Sequence, residues 1–265
     1  MEPLLGHGPS AGAGELPRAG WQAEALPVLR ALAADEPSVQ KLEVAGSAAG
    51  DGRVLDVWSD LDVLVTIDGD SAPVAERLAQ AVPAALGPLY ASSRSGDGRE
   101  AGVRLVLADL RRIDLTVRTA DAALHPPAQC GAGGLAGIAA AFRFDAVLAA
   151  FKAARQDLLI SAHLALQLPR HVLVAAMILR DQETGTRHHR YGSTEWNVWP
   201  ERLGAVAPPS STLTITASIR HHAHVLQDLL AVHAPDLAVD DDPLHRLLAA
   251  VDRSAERQSA PSARP

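Results

Sequence analysis

Apolar and polar residues follow two periods along this chain, and the change between them divides it. In the first half, short stretches alternate with a period of two, as half-buried strands do. In the second half, apolar positions recur every three to four residues, as on amphipathic helices. A helix precedes the strands: residues 21–34 carry Trp21, Ala25, Val28, Leu29 and Leu32 on one face. Residues 39–45 predict a strand. Residues 58–67 predict a second, with Leu61, Val63 and Val65 on one side. Residues 71–85 predict a helix capped by Ser71, with Pro73 in its first turn, where a missing N–H costs little. Residues 89–93, 103–108 and 112–118 predict further strands, the last two antiparallel. A turn is expected at Ser95-Gly96-Asp97-Gly98.

Beyond residue 118 the pattern changes. Residues 119–140 are rich in Gly, Ala and Pro and mark a domain boundary. Residues 142–168 predict a helix that Pro169 ends. Residues 170–180, 218–233 and 243–251 predict others, and residues 185–200 a loop with Tyr191, Gly192, Trp196 and Trp199. Asp240-Asp241-Asp242, before Pro243, reads as a helix start, where acids favour the helix dipole. The ends are too rich in small and polar residues to order themselves. The expected division is a disordered tail at 1–18, an α+β domain at 19–125, a helical bundle at 141–253 and a second tail at 254–265.

The polar face of the second strand carries the candidate chemistry. Asp60 and Asp62 point the same way, because successive strand residues face opposite sides. They lie about 7 Å apart along the strand. Two acids so placed repel each other unless a cation lies between them, and oxygen-only ligands suit Mg²⁺. Asp114 lies on the polar face of residues 112–118, opposite Ile113, Leu115 and Val117. If that strand neighbours the first, Asp114 reaches the same place. Three such acids could hold two cations ~3.5–4 Å apart, an arrangement used in phosphoryl transfer.

Gly46-Ser47, then Ser59-Asp60-Leu61-Asp62, then a later strand with Asp114, resemble the nucleotidyltransferase superfamily of DNA polymerase β over residues 40–118. The resemblance implies an α+β fold: a small mixed-sheet nucleotidyltransferase core followed by an all-helical C-terminal domain. It implies that Gly46, Ser47 and Ser59 bind the nucleotide. It also implies that Asp60 and Asp62 bind Mg²⁺, with Asp114 as third ligand or as the base near the attacking hydroxyl. Ala48 departs from the pattern, since many members have a basic residue after the serine; Arg53 is the substitute candidate. The run Phe151-Lys152-Ala153-Ala154-Arg155, followed by His189-Arg190-Tyr191-Gly192, is similar to the aminoglycoside 6-adenylyltransferase (streptomycin adenylyltransferase) branch. That branch sets its pocket between the core and a helical domain, and the resemblance implies that Lys152 contacts nucleotide phosphates. The implied reaction is Mg²⁺-dependent transfer of AMP or another NMP from ATP or another NTP to a hydroxyl of a small cationic acceptor, such as an aminoglycoside antibiotic. Pyrophosphate is released, and antibiotic resistance is the implied role. The alternatives are a protein or tRNA acceptor, or a non-catalytic nucleotide-binding regulator.

Composition narrows the partners. A net charge of −7 argues against nucleic acid, which needs a basic patch, and fits a cationic small molecule. Aromatic residues make up 3% of the chain, so the helical core is expected to consist of small side chains. Cys130 is the one cysteine, which excludes an intrachain disulfide and a cysteine metal cluster. A reducing cytoplasm is the expected compartment. The start lacks the basic and apolar segments of a signal peptide, and no uninterrupted apolar run reaches ~18 residues, so no membrane contact is expected. Lys41 and Lys152 are the only lysines among 24 basic residues. Lys152 reads either as a compact phosphate-binding charge or as a snorkelling surface lysine. His188-His189 and His221-His222-His224 cluster without the spacing of a zinc motif. Trp196 and Trp199 read either as stacking platforms or as lid and core residues.

Overall fold

Alternation builds a five-stranded sheet from β1 (Val39–Val44), β2 (Leu61–Ile67), β3 (Leu89–Gly96), β4 (Glu100–Leu107) and β5 (Arg112–Thr119), in the spatial order β1-β2-β5-β4-β3. The computed structural model describes residues 17–45, 56–96, 99–120, 134–185, 195–204 and 206–259. Gly46, Ser47, Ala48, Arg53, Cys130, His188, His189 and Tyr191 lie outside these residues. So do residues 1–16 and 260–265 of the two expected tails and residues 121–133 of the 119–140 passage. The sheet is mixed: β2 and β5 run parallel, and every other neighbouring pair is antiparallel. A parallel pair needs a crossover. Here α2 (Ser71–Leu86) carries the chain away from β2, and β3 and β4 return it to β5.

On β2, Leu61, Val63, Val65 and Ile67 are buried and the residues between them are half-buried. These side chains join Ile113, Leu115 and Val117 of β5 in a core closed by Trp21 and Leu29 of α1 (Trp21–Ala34) and by Val74, Leu78 and Val82 of α2. One face of the sheet is thus sealed, and the residues between point to the other. The cap of α2 is Asp70, not Ser71; its carboxylate accepts from Ala72 N at 3.1 Å. The acid is the better partner for the helix N-terminal dipole.

The C-terminal part is all helical: α3 (Gly134–Ala154), α4 (Leu158–Thr184), α5 (Val198–Leu203), α6 (Thr212–His233) and α7 (Asp242–Ser259). Phe142, Val147 and Phe151 of α3 pack with residues such as Leu168, Ile219, Leu226 and Leu247, and the same core takes in Ala91 and Val106 from the sheet and Leu110 from the turn between β4 and β5. The expected break at Pro169 is absent. The ring forfeits one backbone hydrogen bond, but Leu168 and Val172 on either side are fully buried, and that packing holds the helix together. The break falls at residues 155–157, where Gln156 takes a left-handed φ of 62° and its side-chain amide donates to Thr212 Oγ1 and Gln258 Oε1. Two other bounds also move. Helix α6 starts at Thr212, because Ser211 and Thr214 form a capping box. Helix α7 runs on through residues 254–259 with Ala255 buried, where a tail was expected. By length and composition alone α3 and α4 could cross a membrane, and burial of α3 at the centre of the bundle accounts for its apolarity.

One buried polar cluster ties the two parts together. Asp241 accepts from Tyr90 Oη at 2.7 Å and from Arg143 Nε at 3.0 Å. The Arg143 and Asp241 side chains are 6% and 7% exposed. The cluster therefore joins β3, α3 and the turn before α7.

Candidate metal centre

Asp62 and Asp114 are direct register partners on the parallel strands β2 and β5. Arg104 of β4 lies opposite Asp114 on the other side, so the three side chains form a row on the face away from α1 and α2. Asp60 stands one residue before β2. The strand begins at Leu61, later than the expected residue 58, and no ladder fixes Asp60.

Side chains fix it instead. The Asp56 carboxylate accepts from Trp58 N at 3.0 Å and from Ser59 Oγ at 2.8 Å. Gln22 donates to Ser59 O at 3.1 Å. Arg155 donates to Asp56 Oδ1 at 2.8 Å and to Ser59 Oγ at 2.9 Å. Arg112 Nη2 donates to Trp58 O at 3.1 Å and pairs with Asp60 Oδ2 at 3.1 Å. The Arg112 guanidinium lies 4.3 Å from the centroid of the Phe151 ring, and Phe151 meets Trp58 edge-on at 5.5 Å.

One carboxylate oxygen each from Asp60, Asp62 and Asp114 lies within 4.8 Å of the others. A hard divalent cation binds oxygens at about 2.0–2.6 Å, so opposed ligands stand ~4–5 Å apart. Both the spacing and the all-carboxylate donor set fit such an ion. The site is partly neutralised already: Arg112 pairs with Asp60, and Arg104 lies 3.3 Å from Asp114.

Burial, and next the charge of Asp60, push the Asp62 carboxyl above its ordinary value. Burial raises Asp114 from 3.8 to about 6, even though Arg104 and Arg112 pull it down. The folded chain thus holds a proton on Asp114 between 3.8 and about 6, where the unfolded chain does not. Stability from that proton grows as the pH falls through about 6 and is lost as the pH rises through it. Proton and cation compete for the same oxygens. Calorimetric Mg²⁺ or Mn²⁺ affinity is therefore expected to be roughly tenfold lower at about pH 5 than at about pH 7.5. Equal affinity at the two values would remove Asp114 from the ligand set.

The other expected site residues take varied places. Gly46 and Ser47 lie outside the described residues. Ser59 is buried, and its hydroxyl is engaged with Asp56 and Arg155. Lys152 is partly exposed on α3, 3.7 Å from Asp157. Arg155, three residues on and just past the end of α3, is the cation that reaches the Asp60 segment. Trp199 is buried, and Trp196 stacks on His233 at 4.5 Å. His221 donates to Arg202 O at 2.8 Å. Burial lowers His222 to about 4, which keeps it neutral near pH 7.

Sequence reading missed Arg112, Arg155 and Asp56. Arg112 had a signal, since it lies two residues before Asp114 and shares its strand face. The spacing of Phe151 and Arg155, four residues apart, suits one helix face in the sequence, but Arg155 falls just past the end of α3, and the spacing does not name its partner.

No protein-family model matches the chain, and no curated protein matches it in sequence. Among solved structures, it is similar to an aminoglycoside 6-adenyltransferase from Bacillus subtilis at 12% identity, over 87% of this chain and 98% of that one, with a TM-score of 0.28. So low a score gives no residue correspondence, and the site stands on its own geometry.

Proposed function

We propose that this chain is a cation-dependent nucleotidyltransferase that moves a nucleoside monophosphate, AMP in the first instance, from a triphosphate to a hydroxyl of a small cationic acceptor. The observation that carries this reading is the pairing of Asp62 with Asp114 across parallel strands, with Asp60 brought beside them. Asp60, Asp62 and Asp114 would hold Mg²⁺. A cation bound there neutralises phosphate charge and acidifies an approaching hydroxyl. In the transfer, the acceptor oxygen bonds to the α-phosphorus, the bond to the bridging oxygen breaks, and pyrophosphate leaves. Asp114 is the third ligand or takes the hydroxyl proton. Gly46, Ser47 and Lys152 complete the reading as triphosphate contacts. Ser59 acts through the segment it anchors, because its hydroxyl is already bonded on both sides. The row of Asp62, Asp114 and Arg104 lies on the face away from the sealed core, where the two acids are half-buried and Arg104 is exposed. The acidic balance of the chain, −7, favours a cationic acceptor.

The test is pyrophosphate release from ATP and Mg²⁺ across a panel of aminoglycosides and simpler amino-alcohols, with Asp60→Asn beside the wild type. Release that needs one acceptor and vanishes in the variant supports the reading. ATP binding with no release for any acceptor sinks the small-molecule reading and directs attention to protein or tRNA acceptors, and then to a regulatory role.

A further inference from the structure

We propose that Arg112 is the built-in counter-cation of the acid cluster: its ion pair holds Asp60, and an incoming divalent cation must compete with it there, leaving Asp62 and Asp114 as the open half of the site. The inference rests on reading the cluster as a cation site. It starts from an asymmetry among the three acids. Asp60 is paired at 3.1 Å with a guanidinium that is 5% exposed. Asp114 is paired at 3.3 Å with Arg104, whose side chain is 51% exposed. Asp62 has no ion pair among the described residues. Solvent-screened pairs such as Arg104–Asp114 are weak. A buried guanidinium is different, because removing its partner leaves an uncompensated charge.

Arg112 is built into its position. The Phe151 ring covers the guanidinium, and Trp58 O accepts from the same Nη2 that meets Asp60. Its Nε is buried with no hydrogen-bond partner. The side chain therefore has fixed packing and one unspent donor, Nε. The cluster has two arrangements, one closed by arginine and one by the cation. In the second, Arg112 stays under Phe151 with a donor released from Asp60, and a planar guanidinium fork matches phosphate oxygens. Cation loading would then prepare the site for a polyphosphate. The buried arginine would also hold affinity for the bare cation down.

Two measurements test this. The first is thermal unfolding without divalent cations, at about pH 7.5. Asp60→Asn is expected to lower Tm by several degrees, since Arg112 loses its partner. Asp62→Asn is expected to leave Tm unchanged or raise it, since it removes an unpaired like charge. Equal stabilisation by both substitutions would overturn the proposal. This arm needs no folded Arg112 variant. The second is Tb³⁺ titration as a hard-cation probe, with emission excited through Trp58, two residues before Asp60. Arg112→Gln and Arg112→Met are expected to bind Tb³⁺ at least about threefold more tightly than wild type, and Arg112→Lys about as wild type. Unchanged or weaker binding by folded, uncharged variants would overturn the competition. If the wild type binds no Tb³⁺, the cation reading fails, and the competition fails with it. The thermal contrast then decides whether Arg112 is the counter-cation of Asp60 at all.

Discussion

Asp62→Asn is expected to abolish nucleotidyl transfer, with kcat/KM falling at least about a thousandfold, while the fold survives. The carboxylate sits in register with Asp114 and faces the site directly. It is the member of the cluster that no arginine pairs with directly among the described residues. Losing it removes several kcal/mol of charge stabilisation, and each ~1.4 kcal/mol is a factor of ten in rate. The amide keeps the size and shape of the acid, so packing is preserved. Because burial and Asp60 push the Asp62 carboxyl above its ordinary value, the folded state disfavours its charged form, and the neutral amide relieves that cost. Steady-state kinetics beside a melting curve give both halves of the result. Activity within about tenfold of wild type would remove Asp62 from the machinery.

Asp241→Ala should produce the largest loss of stability. Arg143 and Tyr90 both donate to one Asp241 oxygen, and the arginine is buried with its second terminal nitrogen already unpartnered. Alanine would leave a buried guanidinium with no counter-charge, which costs roughly 3–5 kcal/mol. In a chain of this size that corresponds to a Tm drop of roughly 6–20 °C. Asp240→Ala is the control. Asp240 is an exposed neighbour whose carboxylate accepts from Asp242 N, and loss of such a cap costs only about 1 kcal/mol. Equal Tm shifts in the two variants would show that the buried pair contributes no more than a cap.

The same aspartate shows where the sequence stops being informative. Asp240-Asp241-Asp242 reads as a run of acids at a helix start, and local rules explain the outer two. The middle one turns inward to Arg143, 98 residues away, and no local pattern announces that. Strand alternation was legible because it is a local property. It placed Asp62 and Asp114 on polar faces before their strands were known to be neighbours. That β2 and β5 pair directly, and in parallel, is a long-range fact that neither strand encodes alone. Asp60 was assigned to the strand because alternation runs through it, yet the ladder starts at Leu61. Its position depends on Arg112 and on the Asp56 turn. Pro169 misled for the opposite reason: a strong local rule yielded to burial on both sides of the ring. The Ser211 and Thr214 cap was legible as a short polar pair and could have placed the start of α6 correctly.

Helix α3 belongs to the C-terminal part by sequence, but Phe151, near its end, covers Arg112 of the N-terminal part, and Arg155, just past its end, bonds Asp56. This bears on how such a chain can be inherited or engineered. A crossover between residues 119 and 134 looks like a clean seam. It would pair one parent's aspartates with another parent's floor and counter-charges. A chimera made there is viable only if both parents carry an aromatic residue and a cation four positions apart at the end of that helix. The heritable module is therefore the sheet together with the last two turns of α3 and Arg155 just after them, and a seam that spares it lies after Arg155, at residues 156–157.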